Sequence, residues 1–415
     1  MTEESQVNLA NKEIIEKIGS SKVLWVGLRK ASEAIPVLKD KMLLHAGAPL
    51  HPSRMCNAML NAVYGAIIYE GWATDLRTAE LLVSSGAVKF DSAHNYSALG
   101  PMAGIISPSM PLMIFENAAF GKRSFVTINE GLGQTLRFGA NDAAVIKRLK
   151  WIERVLSPIL SDAIYLSGPI DITNIALHAV QRGDECHNRN KAATSLLFQK
   201  VAPWLVETSH SRTDIFDALS FISNNEQFFL NLSMGMAEAT MGIAHGIEEG
   251  TIVTCMASNG VEFGIKVSGS GEDWYTAPAG YAQGNYFKAF GLENANPVMG
   301  DSYMLETMGL GGFAMASAPG IAMFIGGTVK ETVESTRKMY RITIAEHPLF
   351  KIPSMEFKGT PLGIDIRLVL KTGILPIVNT GIAHKEAGIG QIGAGRFCPP
   401  MECFTKAALG IGLVN

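Results

Sequence analysis

Apolar side chains recur every three to four residues through nearly all of residues 168–246, and this helical period divides the chain into three parts. Ahead of it, Lys22-Val-Leu-Trp-Val-Gly27 and Met42-Leu-Leu-His-Ala-Gly47 read as short buried strands ending in glycine. Strand, turn, crossover and strand again predict an open α/β layer over residues 1–165, with ligand groups gathering at strand C-terminal ends. Beyond it, where the chain turns glycine-rich, the runs 251–256 and 262–267 alternate like a hairpin closed around Asn259. The expected architecture is multidomain, α/β and α+β. It comprises an N-terminal α/β domain (1–165), a helical domain (166–248) and a glycine-rich α+β C-terminal domain (249–415).

Within those parts the spacing predicts helices over 11–18, over 52–85 with a break at Gly71, and from Asn141-Asp142 to about Leu156, where Pro158 kinks or ends the run. It also predicts strands at 88–90, 104–106, 112–115, 124–128 and 374–378, and a helix over 330–347.

Only 18% of the 415 residues are charged, against roughly 25% in an ordinary soluble domain, so much of the surface is expected to be covered by other domains or by copies of the chain. A homo-oligomer is the expectation. The net charge of -3 offers no long-range attraction to nucleic acid or anionic lipid. The weakly polar run 308–327 is interrupted by Ser317 and Pro319, which favours a buried segment over a membrane span. Five widely spaced cysteines and an N-terminus without basic and apolar signal regions point to a reducing cytoplasm.

Chemistry is densest in Gly183-Asp-Glu-Cys-His-Asn-Arg-Asn190, between two helical patterns. A polar cluster at a helix start has free N–H groups and a positive dipole end beside it, which suits a small anionic substrate. It equally suits a loop in which Asp184 or Asn188 caps the helix that follows. A second candidate is Asn129-Glu130-Gly131-Leu-Gly133, where a strand runs into a glycine turn that a ligand can approach, with Arg137 nearby for a carboxylate or phosphate. The third is His384-Lys385-Glu386, placed after a strand end. His94 and Asn95 lie in a loop between strands, and His45 and Glu70 are either satisfied structural groups or functional ones.

Two motifs fail on context. Gly388-Ile-Gly390-Gln-Ile-Gly393 matches the dinucleotide fingerprint in letters, but no strand directly precedes it and no acidic residue follows Glu402, so a flexible loop is expected. Ser335-Thr-Arg-Lys338 lies inside a helical pattern, where a phosphate loop would open a helix after a strand. No Cys/His quartet has zinc spacing, so neither a metal nor another cofactor is expected.

The order Leu44-His-Ala-Gly47, His94-Asn-Tyr-Ser-Ala-Leu-Gly-Pro-Met-Ala-Gly104, Asn129-Glu-Gly-Leu-Gly133, 183–190 and 379–395 resembles the YlbE-like family across essentially the whole chain. That family was long known as a domain of unknown function. The resemblance implies association with FdrA-like proteins in anaerobic purine and allantoin breakdown, as a subunit of oxamate carbamoyltransferase. It supplies no catalytic residues. Carbamoyl transfer needs cations for phosphate and carboxylate and a donor on the carbamoyl oxygen. By residue chemistry the expectation is Arg189 and Lys385 for anions, assisted by Arg137, His94 and Asn95. His187 or His384 is expected on the carbonyl oxygen, Glu185 or Glu130 for proton movement, and Asn129 and Asn188 for orientation. Two other functions compete: a non-catalytic subunit docking an FdrA-like partner, and an NAD(P)-dependent oxidoreductase.

Overall fold

A computed structural model describes residues 3–39, 41–131 and 133–413. Helix Glu3–Ser20 opens the chain, longer at both ends than its apolar spacing required. Strand Val23–Lys30 then enters a five-stranded sheet ordered Ala98–Leu99, Arg123–Thr127, Pro111–Asn117, Val23–Lys30, Ile170–Asp171. All of its pairings are antiparallel except Ala98–Leu99 with Arg123–Thr127.

The mixed α/β and α+β character is as expected. Strand Met42–His45, however, does not join the first strand in one layer. It pairs in parallel with Lys89–Ser92, and helices Asn57–Tyr69 and Leu76–Ser84 form the crossover. Parallel neighbours need such a long connection; in the five-stranded sheet only Pro111–Asn117 and Arg123–Thr127 are joined by a short turn, and Val23–Lys30 pairs with strands far along the chain. Residues 104–106 make only an isolated bridge, between Ile106 and Leu44.

The short strand Ile170–Asp171 brings the start of the helical segment back onto the sheet. Helix Phe228–Met241 lies across that sheet, where Gly235 lets Phe115 press against its backbone and accepts a hydrogen bond from Ser124 Oγ at 2.7 Å. One apolar cluster therefore runs from Ile14 and Trp25 through Leu160, Leu197 and Met236 to Leu362, crossing residue 166 without a break.

Pro158 does not end its helix. Ala143–Trp151 passes through a wide turn at Ile152–Leu156 into Ser157–Ser167, with Pro158 in the first turn after the wide segment. A wide turn shifts the hydrogen-bond ladder by one residue, so the missing proline N–H is absorbed.

In the C-terminal part, the hairpin of Val253–Asn259 and Glu262–Val267 forms as expected. Helix Val329–Met339, started by a Thr328/Glu331 capping box, is shorter than its pattern, and strand Thr343–Ile352 takes over the rest. Lys358–Ile364 pairs back onto it, and the strand expected from residue 374 begins at Val378 and pairs with Gln391–Phe397. The glycines at 388 and 390 thus belong to a hairpin turn, and residues 391–393 are strand instead of loop. A strand follows where a dinucleotide site requires a helix. Among the described residues no helix is long and apolar enough to cross a membrane.

Candidate functional site

Helix Ile172–Gln181, capped by Asp171, stops at Gly183, whose φ of +95° needs glycine. Three residues later Cys186 adopts φ +63°, a costly conformation for a buried side chain with a Cβ, and its N–H bonds Arg189 O at 3.0 Å to close a tight turn. Asp184 caps the following helix, Lys191–Glu207, through its Oδ2 on Ala193 N–H at 2.8 Å. The helix start is therefore satisfied by the chain's own carboxylate. Glu185 braces the turn by accepting N–H of His187 at 3.1 Å and of Arg189 at 2.7 Å. Burial pushes its carboxyl up to about 7.

His187 Nδ1 donates to Glu306 Oε1 at 2.8 Å, and the same oxygen accepts N–H of Gly312 at 2.9 Å and of Asn379 at 3.0 Å. Burial pulls the imidazole down, but the Glu306 carboxylate and its hydrogen bond, with Glu185 behind, outweigh it and hold His187 above its ordinary value. Its Nε2 has no bonding partner among the described residues. Asn188 Nδ2 donates to Thr380 O at 3.3 Å, Asn190 Nδ2 to His187 O at 2.7 Å, and Gln227 Nε2 to Asn188 O at 2.7 Å. Arg189 anchors Nε on Gly183 O at 2.9 Å and leaves its side chain 40% exposed, in a cleft shared with Asn188, Asn190, Gln227, Gly320 and Phe324.

His94, expected in a loop between strands, is buried. Its Nε2 meets Asp301 Oδ1 at 2.9 Å and its Nδ1 lies 3.6 Å from Cys255 Sγ, while Asn95 faces outward and bonds Asp91 at 2.7 Å. Asp301 also accepts N–H of Gly47 at 2.7 Å and of Gly100 at 2.9 Å. The short segment Asp301 to Glu306 thus ties His94 to His187, and between them Tyr303 OH reaches Thr380 Oγ1 at 3.1 Å. Sequence reasoning missed all three residues. Asp301 and Glu306 are the only acids in the weakly polar stretch 301–327, a signal that an acid needing a buried partner would leave. His45, also buried, holds Ala46 O at 2.9 Å, and Glu70 accepts from Ser107 and Ser109, so both are satisfied.

The remaining candidates lie elsewhere. Glu130 accepts N–H of Leu136 at 2.7 Å and of Arg137 at 3.0 Å, and Arg137 Nη2 reaches Gly131 O at 3.0 Å. Desolvation raises the Glu130 carboxyl and lowers the Arg137 guanidinium. Asn129 is held by Gln227 O, Asn231 and Asn225, each at 3.0 Å. His384 Nδ1 accepts Glu386 N–H at 2.9 Å beside Phe290, and Lys385 is exposed. His384 follows the end of strand Val378–Ala383, five residue steps or roughly 17 Å from Asn379, so His384 does not stand beside His187. Its turn instead meets the 133–140 loop, where Gly388 N–H bonds Phe138 O at 3.0 Å.

Among the described residues the three segments therefore meet through buried contacts, while Arg189 and Arg137 line separate cavities. Their chemistry is still concentrated. Of 13 buried side-chain polar atoms without a hydrogen-bond partner among the described residues, six belong to Asp184, Asn190, Asn379, Thr135 and Arg137 in these segments, and a seventh is Glu306 Oε2. Among the described residues no group of three or more His, Cys, Asp or Glu side chains is placed to hold a metal.

A family model described as oxamate carbamoyltransferase subunit AllG matches residues 88–302. The oxamate carbamoyltransferase subunit AllG of Escherichia coli (strain K12) is 42% identical over 98% of this chain and 100% of its own length. The uncharacterized protein YahG of the same organism is 42% identical over 98% of this chain and 86% of its own. The crystal structure of a conserved protein of unknown function from Enterococcus faecalis V583 has a TM-score of 0.98, covers 99% of both chains and is 42% identical.

Proposed function

Because the chain belongs to the family of the oxamate carbamoyltransferase subunit AllG, we propose that it serves as a subunit of a cytoplasmic carbamoyltransferase working on oxalurate or oxamate in allantoin breakdown, beside an FdrA-like partner. The YlbE-like resemblance is compatible with that membership. The observation that carries the reading is the buried His187–Glu306 pair, in which the carboxylate favours the protonated imidazole at the turn that also holds Arg189.

In the catabolic direction phosphate oxygen attacks the ureido carbonyl of oxalurate. The C–N bond to oxamate breaks, the oxamate nitrogen takes up a proton, and carbamoyl phosphate leaves. Negative charge grows on the carbonyl oxygen, and the unpartnered Nε2–H of His187 is the donor for it, kept protonated by Glu306. The guanidinium of Arg189 meets phosphate or carboxylate. Glu185, with its carboxyl at about 7, exchanges a proton near neutral pH. Asn188 and Asn190, fixed by Gln227, position the turn, and Asn129 supports them from behind by fixing residues 225–231.

A donor to a developing oxyanion contributes about 3 kcal/mol, so His187→Ala should lower kcat roughly 100- to 1000-fold in the assembled enzyme. Arg189→Gln should act mainly on KM. Carbamoyl phosphate formation from oxalurate and phosphate, measured with partner subunits present, tests this. Unchanged turnover in both folded variants refutes the assignment. A docking role is the second reading, favoured by Met323, 88% exposed, beside Phe324 at the mouth of the cleft. It predicts that Met323→Glu weakens assembly with the partner while His187→Ala does not alter turnover.

A further inference from the structure

A different cleft opens at the carboxyl end of the parallel pair Met42–His45 and Lys89–Ser92, against helices Asn57–Tyr69 and Leu76–Ser84. Open α/β layers collect ligands at that end of their strands. Its volume is about 800 Å³, within the roughly 300–1,000 Å³ usual for a small-molecule pocket, and it shares no lining residue with the cleft of Arg189. Leu50, Leu60, Val83 and Val88 make apolar walls, and Tyr64 and Phe90 add aromatic rings.

The full charges on this lining are all negative. Glu80 and Asp91 belong to it, and no Lys or Arg does. Asp91 is braced by neutral donors: Oδ1 accepts Ser92 N–H at 2.8 Å and Asn95 Nδ2 at 2.7 Å, and Oδ2 accepts Tyr96 OH at 2.8 Å. Such bonds fix the carboxylate without cancelling its charge. Among the described residues Glu80 has neither a hydrogen bond nor an ion pair, and Arg77 and Lys89, on the same helix and strand, pair with neither acid. The two imidazoles on the wall supply no cation. Burial pulls His45 below its ordinary value, with Nδ1 on Ala46 O at 2.9 Å, and at the rim His51 Nδ1 accepts Ser53 N–H at 3.3 Å, a role open only to a neutral ring. Partial burial, with Glu80 close by, pushes the Tyr64 phenol up, so an aromatic ring stands near the free carboxylate. Uncompensated carboxylates in a cleft with apolar walls concentrate a negative potential there.

We propose that this cleft binds a small organic cation, a primary ammonium carried on a flat aromatic or apolar body. Glu80 and Asp91 hold the ammonium, and the body lies against Tyr64 and Phe90, whose ring faces attract the same charge. The acids repel the anions suited to Arg189, so the inference neither rests on carbamoyl transfer nor falls with it.

Titration of the full chain with para-fluorobenzylamine and, separately, para-fluorobenzoate, followed by fluorine NMR, tests this. The amine should bind saturably and the benzoate should not. Glu80→Gln should weaken the amine roughly fivefold, the size of one partly exposed charge contact. Ser84→Lys, which sets a cation on the rim, should abolish amine binding and admit the benzoate. Both are exposed helix positions, so the variants should fold. Equal binding of the two probes, amine binding that neither substitution changes, or no binding of the amine to the wild type overturns the proposal.

Discussion

Replacing Glu306 by Gln isolates what one buried carboxylate does. Its Oε1 receives three donors, His187 Nδ1, Gly312 N and Asn379 N, at 2.8, 2.9 and 3.0 Å, and the residue is fully buried. Hydrogen bonds to a charged group contribute about 1.5–3 kcal/mol each and neutral ones about half that. Gln keeps an oxygen in place but loses the charge, so three bonds weaken together and the expected cost is on the order of 3 kcal/mol. Against a total stability of about 5–15 kcal/mol this is plainly measurable. In urea the unfolding midpoint should fall with the slope unchanged. The same change removes the main charge holding the His187 proton, so the folded pKa of His187 should drop. That alters the pH profile with a definite sign. Because the folded value is raised, the stability linked to His187 is fully present below the ordinary imidazole value near 6.5 and is lost as pH rises through the folded value. In Glu306→Gln that pH-dependent part should shrink. If the urea midpoint stays put and the His187 ring resonances titrate as in the wild type, Glu306 is not the residue that holds the turn.

Glu185 and Asp184 are pushed to about 7 and about 6 by burial, so both bind a proton more tightly folded than unfolded. Their stability contribution is present below the usual carboxylate range and lost as pH climbs through 6 to 7, and urea midpoints of Glu185→Gln should therefore decline less over that interval than those of the wild type. At Gly235 an added Cβ meets the Phe115 ring, so Gly235→Ala should cost about 1–3 kcal/mol by overpacking, and Phe115→Leu in the same chain should recover part of it. A double-mutant cycle with no coupling between the two positions would show that the helix and the sheet do not meet there.

The helical period of 168–246, the hairpin at 251–267 and the chemically dense turn at 183–190 were legible because each is local: apolar spacing, turn glycines and polar density are written in consecutive residues. The failed dinucleotide match was legible for the same reason, since its required neighbours could be checked by eye. What the sequence could not contain was pairing. The strands beginning at Val23 and Met42 look alike, yet one joins an antiparallel sheet and the other a parallel pair, because partner choice depends on segments far along the chain. Pro158 survives inside a helix because a wide turn beside it takes up the lost hydrogen bond, a compensation that no propensity encodes. The same holds at the site. Residue chemistry marked His187 and Arg189, but only tertiary contacts set Glu306 against His187, with Asn379 N–H on the same carboxylate, and placed His384 and Arg137 elsewhere. A buried acid acts on whatever the fold brings within about 3 Å of it, and that distance is a property of the whole chain.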